Sequence, residues 1–379
     1  MADGSEGAQG SGASGDSSFD ALLLVSFGGP EGPDDVVPFL QNVTRGRGIP
    51  DERLREVGEH YFHFDGVSPI NAQNREFLSS LRPELARRGI DLPVYWGNRN
   101  WGPFLTEAVE QMRADGVQRV LAFFTSAYSS YSGCRQYREN IAAALAESDA
   151  EDLVVERLGP YFNHRGFIDP FVDGTLAAVR GLSEQERANA RLVFTTHSIP
   201  VAMADSSGAE TGLAGGAYVQ QHREVATTVA ARVADEAQVE LPWDLVYQSR
   251  SGAPHIPWLE PDIDDHIRQL ATEGCTAAVV VPIGFVSDHL EVLWDLDTQA
   301  RATADEVGLP MVRVGTPGAD ARTVAMVCDL VSERLNGLGV AERVRVGSLP
   351  ASPDRCAPGC CANPRGSRPA VAGSDGHEA

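Results

Sequence analysis

Three cysteines lie close together near the end of the chain. Cys356, Cys360 and Cys361 are separated only by Ala, Pro and Gly. Thiols at this spacing are typical metal ligands, either in a [2Fe-2S] cluster with two thiolates on each iron or around a structural zinc ion with four thiolates. Both sites need one more ligand, which could be Cys134, Cys275 or Cys328. The alternative is a free or oxidised surface cluster. It is disfavoured because the chain begins without a signal-peptide pattern and adjacent cysteines rarely form a disulfide.

Three carboxylates recur at helical spacing in a second segment. Asp288, Glu291 and Asp295 stand at i, i+3 and i+7, so a helix opening at Asp288 and continuing to Asp297 would carry them on one face. Like charges on one face repel each other and call for a compensating cation. A solvated acidic face is the alternative, but the apolar residues around these positions favour a buried segment in which carboxylates serve a metal ion or a proton.

A histidine stands at the end of another apolar run. His197 follows the run 192–196 and precedes Ser-Ile-Pro. Such a residue could be a satisfied core histidine. Its position at the carboxyl end of a predicted strand favours a functional role, because ligands of parallel sheets bind at that edge.

Short apolar runs alternate with amphipathic stretches along most of the chain, which predicts parallel sheets covered by helices. The predicted strands are 21–26, 93–97, 120–126, 153–158, 192–196, 244–248, 277–283 and 311–314. The predicted helices are 72–88, 104–114, 136–146, 218–235, 263–272 and 323–335. Eight strands divide into two four-stranded halves with a break in 162–184. We therefore expect two three-layer α/β domains facing each other across a cleft, with the helix 323–335 returning to the N-terminal half.

Composition sets limits on the class of protein. The chain has 379 residues, a length suited to about two domains. Its net charge of -22 argues against binding to nucleic acid or an anionic membrane. No apolar run is long enough to span a bilayer. We therefore expect a cytoplasmic protein with a disordered leader at 1–18 and a loose end over 363–379. Too few apolar residues follow Leu349 to dock the tail by burial, so metal ligation is expected to order it.

Several motifs occur in an order that resembles the ferrochelatases, from about residue 22 to residue 335. They are 23–30 (LLVSFGGP), 66–70 (GVSPI), 196–200 (THSIP), 247–249 (YQS), 257–259 (PWL) and 284–291 (GFVSDHLE). The cysteine-bearing tail resembles the actinobacterial branch. The resemblance implies two similar Rossmann-like, chelatase-type domains. The expected division is 19–165 plus 318–340 as the N-terminal half, 166–317 as the C-terminal half, and 341–379 as the tail.

The resemblance also implies roles for individual residues. The family's metal-site histidine and carboxylate fall on His197 and Glu291, with Asp288 and Asp295 as an accessory acidic face. Where members often keep a further carboxylate, this chain has Gln299, and where some carry an iron-ligating tyrosine it has Phe27. The role of that tyrosine is expected to pass to Tyr61. The porphyrin contacts implied are Ser68, Tyr137, Tyr61, Arg45, Arg99 and Trp258, with Phe64 as a further wall residue and Arg47 as a further propionate donor.

The function implied is insertion of Fe(II) into coproporphyrin III, with pyrrole protons accepted at the His197 and Glu291 site. The branch also implies a [2Fe-2S] cluster on Cys134, Cys356, Cys360 and Cys361, which leaves Cys275 and Cys328 as ordinary buried cysteines. The expected partners are coproporphyrin III, ferrous iron and a downstream enzyme of the haem pathway, with a monomer as the default state. The alternatives are a protoporphyrin IX ferrochelatase, a cobalt or nickel chelatase for a more reduced tetrapyrrole, and a non-catalytic haem-binding or iron-sensing protein.

Overall fold

The computed structural model of the chain describes residues 18–46 and 48–373. Arg47, the end of the tail and all of the predicted leader except Ser18 lie outside the described residues. Within the two described ranges, no helix is long and apolar enough to cross a membrane.

The N-terminal half is a parallel sheet with helices on both faces. In chain order it consists of β1 (Ala21–Ser26), α1 (Pro33–Val43), α2 (Asp51–Phe62), α3 (Ile70–Arg87), β2 (Val94–Asn98), α4 (Leu105–Ala114), β3 (Arg119–Phe124), a π-helical turn (Tyr131–Arg135), α5 (Gln136–Glu147) and β4 (Val154–Arg157). The strand order is β2-β1-β3-β4. Every residue of β1 is buried, as an apolar run covered on both faces should be.

The C-terminal half repeats this arrangement. It consists of α6 (Arg165–Gly181), α7 (Glu184–Arg187), β5 (Ala190–His197), α8 (Val201–Asp205), a 3-10 turn (Ala209–Thr211), α9 (Gly216–Ala237), β6 (Trp243–Gln248), α10 (Ile263–Thr272), β7 (Ala277–Val281), α11 (Leu290–Val292), a π-helix (Leu293–Ala300), α12 (Arg301–Val307) and β8 (Met311–Arg313), followed by α13 (Ala321–Leu335) and a 3-10 turn (Val340–Glu342). Its strand order, β6-β5-β7-β8, matches that of the first sheet. The predicted fold class, two four-stranded parallel sheets with flanking helices, is confirmed.

One apolar core joins the two halves. It contains residues of both sheets, such as Leu22 and Leu192, together with Val331 of α13. The C-terminal helix α13 packs against both α3 and α6. The exact division into 19–165 plus 318–340 and 166–317 stays a prediction.

The eight predicted strands form with ends shifted by at most two residues, whereas six helices of the described residues were not predicted. Three of them are long, α1, α2 and α6, and three are short, α7, α8 and α12. Proline lies inside α1 at Pro38 and inside α6 at Pro170, which hides the helical pattern in the sequence. The region expected to be the break between the halves is thus largely occupied by α6.

The helix predicted to open at Asp288 is wrong at its start. The backbone is still extended at His289, and the first helical residue is Leu290. Asp288 instead forms an ion pair with Arg313 of β8, and its main-chain N–H donates to Gln73 Oε1 at 3.0 Å. These contacts hold Asp288 outside the helix, so it does not continue the face of Glu291 and Asp295.

Two buried arginines contact the tail. The buried Arg135 and Arg138 donate to the carbonyl oxygens of Arg368, at 3.0 Å, and Val371. The main-chain N–H of Val371 donates back to Arg138 at 3.3 Å. Residues 368–371 are thus tied to the start of α5 by main-chain hydrogen bonds. The loose end stays a prediction, and composition alone did not indicate these buried arginines, which bind main-chain carbonyls.

Candidate active site and cysteine cluster

His197 is the last residue of β5, and its side chain is 34% exposed. Its Nδ1 lies in a short contact with the carbonyl oxygen of Ser198. Because a carbonyl only accepts, Nδ1 must carry the proton, and the lone pair is on Nε2. Loss of solvent lowers the pKa of His197, although the Ser198 hydrogen bond and the charge of Asp295 oppose the shift. A neutral imidazole with a free Nε2 can bind a metal ion or accept a proton.

Glu291 lies on α11, with Oε2 at 3.7 Å from His197 Nε2. Loss of solvent raises the pKa of Glu291 to about 7, although 43% of the side chain remains accessible from the cleft. A carboxyl group with this pKa changes its protonation state readily near neutral pH. His197 and Glu291 therefore form a pair that can hold a cation and take up protons.

Asp295 is the second carboxylate of this group and lies in the π-helix. It accepts from the Ser249 hydroxyl and, at 3.3 Å, from Gln248 Nε2. Burial and then the nearby charge of Glu291 raise the pKa of Asp295 to about 7. A π-helix adds a residue to the turn and is often found at functional sites.

The raised pKa of Asp295 predicts how stability depends on pH. The folded protein binds this proton up to about pH 7, whereas the unfolded chain loses it near 3.8. The stabilising effect of the proton is therefore complete below the unfolded value and is lost as the pH rises through about 7. At pH 8, where Asp295 is charged, we expect the free energy of unfolding of Asp295→Asn to be roughly 1–3 kcal/mol larger than that of wild type. At pH 4, where folded Asp295 is protonated, the two proteins should differ little.

Urea unfolding at the two pH values checks this expectation. Asp305→Asn is the matched control, because it removes an exposed carboxylate from α12 in the same region. Equal stability differences at pH 4 and pH 8 for Asp295→Asn would show that Asp295 does not hold a proton in the folded protein.

Tyr61 faces these carboxylates from the N-terminal half. Burial raises the pKa of the Tyr61 phenol, with further contributions from Glu291 and Asp295. The neighbouring His60 stacks on Trp294 of the π-helix with ring centroids 4.1 Å apart. The end of α2 thus lies against the helix that carries the carboxylates. The stack of His60 on Trp294 could not be predicted from the sequence, because no local pattern indicates a contact between such distant segments.

A row of aromatic rings extends from Tyr61 along the N-terminal half. Its ring lies 5.8 Å from that of Phe39, which lies 6.3 Å from Phe27. The Arg99 guanidinium is 5.6 Å from the Phe27 ring centroid and 4.4 Å from that of Tyr137. The structure therefore connects Tyr61, Arg99 and Tyr137, which are far apart in sequence, through one aromatic wall.

The other predicted contact residues are more scattered. Ser68 is buried beside Gly29, where an added Cβ would lie 2.7 Å from the Ser68 hydroxyl oxygen. Trp258 forms a main-chain bridge with Pro200, three residues after His197, and its indole N–H has no hydrogen-bond partner among the described residues. Arg45 is exposed after the end of α1. The structure shows no contact between Arg45 and the His197 group.

Four cysteines form one buried cluster: Cys134, Cys356, Cys360 and Cys361. The Sγ atoms of Cys134 and Cys356 are 4.0 Å apart, and those of Cys360 and Cys361 are 3.7 Å apart. Both distances are close to the sulfur–sulfur separation of two thiolates that bind one metal ion tetrahedrally, with metal–sulfur bonds of about 2.3 Å. Even so, no group of three or more His, Cys, Asp or Glu side chains in the described part of the chain has the arrangement of a metal site.

The polar surroundings of this cluster lower the pKa of the Cys356 and Cys361 thiols and so favour thiolates at these two positions. Arg157 is buried and donates from Nη1 to Cys134 Sγ at 2.7 Å, and the Gly208 N–H donates to Cys361 Sγ at 3.3 Å. Hydrogen bonds from Cys134 and Cys360 lower the pKa of the Cys356 thiol, and Arg157 acts in the same direction. Glu210 accepts from Cys360 at 3.0 Å. The cluster thus contacts both halves, since Cys134 and Arg157 belong to the first and Gly208 and Glu210 to the second.

The remaining two cysteines lie elsewhere. Cys275 is half-buried, and its thiol donates to the Ala277 carbonyl at 3.3 Å. Cys328 is fully buried within α13.

The tail that carries three of the cysteines is docked by polar contacts as well. Arg157 donates to the carbonyl oxygens of Pro353 at 3.2 Å and Asp354 at 3.0 Å. The Asp354 carboxylate pairs with Arg343 at 2.8 Å, and Asn163 donates to the Leu349 carbonyl at 2.8 Å. The expectation that metal ligation orders the tail stays a prediction, and it left these polar contacts out. The available signal was an arginine at the carboxyl end of a predicted strand, as Arg157 is in β4.

Comparison with known proteins gives a consistent result. A family described as "Ferrochelatase" matches residues 19–335. The coproporphyrin III ferrochelatase of Streptomyces griseus is 59% identical over 364 residues, covering 94% of this chain and 96% of the relative. That of Tropheryma whipplei is 47% identical over 380 residues, covering 98% and 97%. Among solved structures, SirB from Bacillus subtilis with Fe3+ is similar in fold, with a TM-score of 0.50, 11% identity, and coverage of 85% of this chain and 98% of SirB.

Proposed function

The chain belongs to the ferrochelatase family, and on that premise we propose that it inserts ferrous iron into coproporphyrin III. The observation that carries the proposal is the pairing of His197 Nε2 with Glu291 Oε2 at 3.7 Å, at the carboxyl-end edge of the second sheet. Tyr61 of the other half faces the same group. A flat ring held between the halves would meet the metal-binding pair on one side and the aromatic wall on the other.

The chemistry of insertion matches the properties of this pair. Fe(II) must lose water and replace two pyrrole protons, so each turnover consumes one Fe(II) and one free porphyrin and releases two protons. Neutral His197 accepts a pyrrole proton at Nε2 while Nδ1–H stays on the Ser198 carbonyl. Glu291 ligates the incoming iron or passes the proton on, and its pKa near 7 suits either step. Asp295, once it has lost the proton that it holds up to about pH 7, adds negative charge that attracts the metal ion.

The walls of the cleft suit a porphyrin with several propionates. Phe27, Tyr61 and Tyr137 provide ring faces, and Trp258 approaches from the other half. Arg99 is held by its Nε, which donates to Asn140 Oδ1 at 2.7 Å. This leaves its terminal nitrogens to bind a carboxylate. Ser68 and Arg45 are the further donors we propose for the propionates.

We also propose that Cys134, Cys356, Cys360 and Cys361 hold a [2Fe-2S] cluster. Four buried sulfurs in two close pairs fit two irons with two thiolates each. The Arg157 and Gly208 donors would stabilise the negative charge of such a cluster. Cys360 would bind iron as a thiolate, so it would give up the proton that it now donates to Glu210. Ligation would supply a cross-link between the tail and both halves. A cytoplasmic location, a monomeric state and a downstream haem-pathway partner stay predictions.

An insertion assay tests the proposed activity. Purified protein would be mixed anaerobically with Fe(II) and either coproporphyrin III or protoporphyrin IX, and loss of the free porphyrin fluorescence followed. We expect the higher kcat/KM with coproporphyrin III, because the extra propionates have donors at Arg99 and Ser68. A clear preference for protoporphyrin IX would favour that alternative substrate. Inactivity with both porphyrins would support the non-catalytic alternative.

A further inference from the structure

Three buried rings pack into a column behind the candidate active site. Tyr128 and His222 are stacked with ring centroids 3.6 Å apart, whereas Tyr218 is tilted by 58° against His222 with centroids 4.4 Å apart. Tyr128 belongs to the N-terminal half, whereas His222 and Tyr218 are on α9. Each residue is at most 7% exposed. The column therefore connects the two halves through their common core.

The hydroxyl groups at the two ends of the column bind main chain at the edge of the second sheet. Tyr218 donates to the carbonyl oxygen of His197 at 2.8 Å, at the end of β5. Tyr128 donates to the carbonyl oxygen of Ile283 at 2.8 Å, just after β7. The loop that begins there leads to Glu291. The column thus binds the main chain at His197 and at the start of the loop that leads to Glu291.

The middle ring fixes the last residues of β5 in a second way. His222 Nδ1 is 2.7 Å from the Tyr218 carbonyl oxygen and so must donate, which leaves Nε2 to accept from the Thr196 hydroxyl at 2.8 Å. Burial lowers the pKa of His222 to about 3, so the ring stays neutral and this tautomer is retained. Thr196 immediately precedes His197, and its hydroxyl is also 2.9 Å from Tyr218 Oη.

The end of β5 is also packed tightly against the loop after β7, so neither can move without the other. The Gly284 N–H donates to the Thr195 carbonyl at 3.2 Å. A Cβ added at Gly284 would lie only 2.1 Å from Thr196 Oγ1. Because the ends of β5 and β7 touch here, a shift of either one is transmitted to the spacing between His197 and Glu291.

We propose that Tyr218, His222 and Tyr128 are positioning residues that set the spacing between His197 and Glu291 for iron insertion. This inference rests on the proposed function. The three side chains act through the main chain of β5 and of the loop after β7, not by contact with iron or porphyrin. Their removal should lower kcat more than it weakens porphyrin binding, because the aromatic wall belongs to other segments.

The decisive variant is Tyr218→Phe, which keeps the ring and removes only the hydroxyl that holds His197. We expect kcat for iron insertion into coproporphyrin III to fall about tenfold, while KM for the porphyrin stays within about twofold. Tyr128→Phe, which frees the Ile283 carbonyl, should reduce kcat in the same way. A stopped assay at saturating Fe(II), together with fluorescence titration of coproporphyrin III without iron, measures both quantities.

Tyr161→Phe is the matched control. Tyr161 is 2% exposed, and its hydroxyl likewise donates to a main-chain carbonyl, that of Phe124 at 2.9 Å, at the end of β3 in the first sheet and not in β5 or the loop after β7. Its Tm should fall about as much as that of Tyr218→Phe, but its kcat should remain that of wild type. Unchanged kcat in Tyr218→Phe with an active wild type, or an equal loss in Tyr161→Phe, would overturn the inference alone. An inactive wild type would overturn the proposed function and the inference with it.

Discussion

Replacing His197 with alanine is expected to lower the rate of iron insertion roughly a thousandfold. The variant loses both the Nε2 acceptor for pyrrole protons and a ligand for the incoming metal ion. Coproporphyrin III should still bind with nearly wild-type affinity, because the aromatic wall through Phe27, Tyr61 and Tyr137 is untouched. Anaerobic assays of Fe-coproporphyrin formation measure the rate, and quenching of porphyrin fluorescence measures the affinity.

Glu291→Gln should follow the same pattern. Glutamine keeps the size of the side chain but cannot carry the proton or the charge. His266→Ala serves as the control for loss of an imidazole. His266 pairs with Asp244 at 3.1 Å near the start of β6, at the edge of the sheet opposite to His197, and its loss should leave turnover unchanged. Near wild-type turnover of either site variant at saturating Fe(II) would show that the metal-binding pair has been misassigned.

The second large effect is expected at the cysteine cluster. Serine at Cys134, Cys356, Cys360 or Cys361 should bleach the visible absorption of the purified protein, because each thiolate would be one of four ligands. The tail should become more sensitive to proteases after Leu349. It should not detach completely, since Arg157 and Arg343 still hold the segment around Asp354.

Cys275→Ser and Cys328→Ser are the controls for this experiment. Both side chains lie outside the four-cysteine cluster, so the colour should be retained. Loss of colour in the Cys275 variant would refute the ligand set. Elemental analysis that finds zinc in place of iron and sulfide would refute the cluster type.

The positions of His197 and Glu291 at strand ends could be predicted from local patterns and one topological rule, whereas their pairing at a metal site was implied by the family resemblance. An apolar run followed by His197 indicated the end of a parallel strand, and the segment before Glu291 indicated another. Carboxyl ends of neighbouring parallel strands meet at one edge, and β5 and β7 are indeed neighbours. The fold class followed from the same alternation of strands and helices.

Features that depend on contacts between distant segments could not be predicted in this way. Asp288 had the correct helical spacing, but its ion pair with Arg313 of β8 holds it outside the helix. Tyr128 and Tyr218 are about 90 residues apart, and nothing in their local sequence indicates that both rings contact His222. The polar contacts of the tail were left out because its anchor, Arg157, is nearly 200 residues away from Asp354.

The position of a bound porphyrin tests the central claim most directly. We expect a crystal structure of the protein with metal-free coproporphyrin III to place the ring in the cleft between His197 and Tyr61. A pyrrole nitrogen should lie within about 3–4 Å of His197 Nε2, and at least one propionate should contact Arg99. A ring bound outside the cleft, or one whose pyrrole nitrogens are out of reach of both His197 and Glu291, would contradict the account.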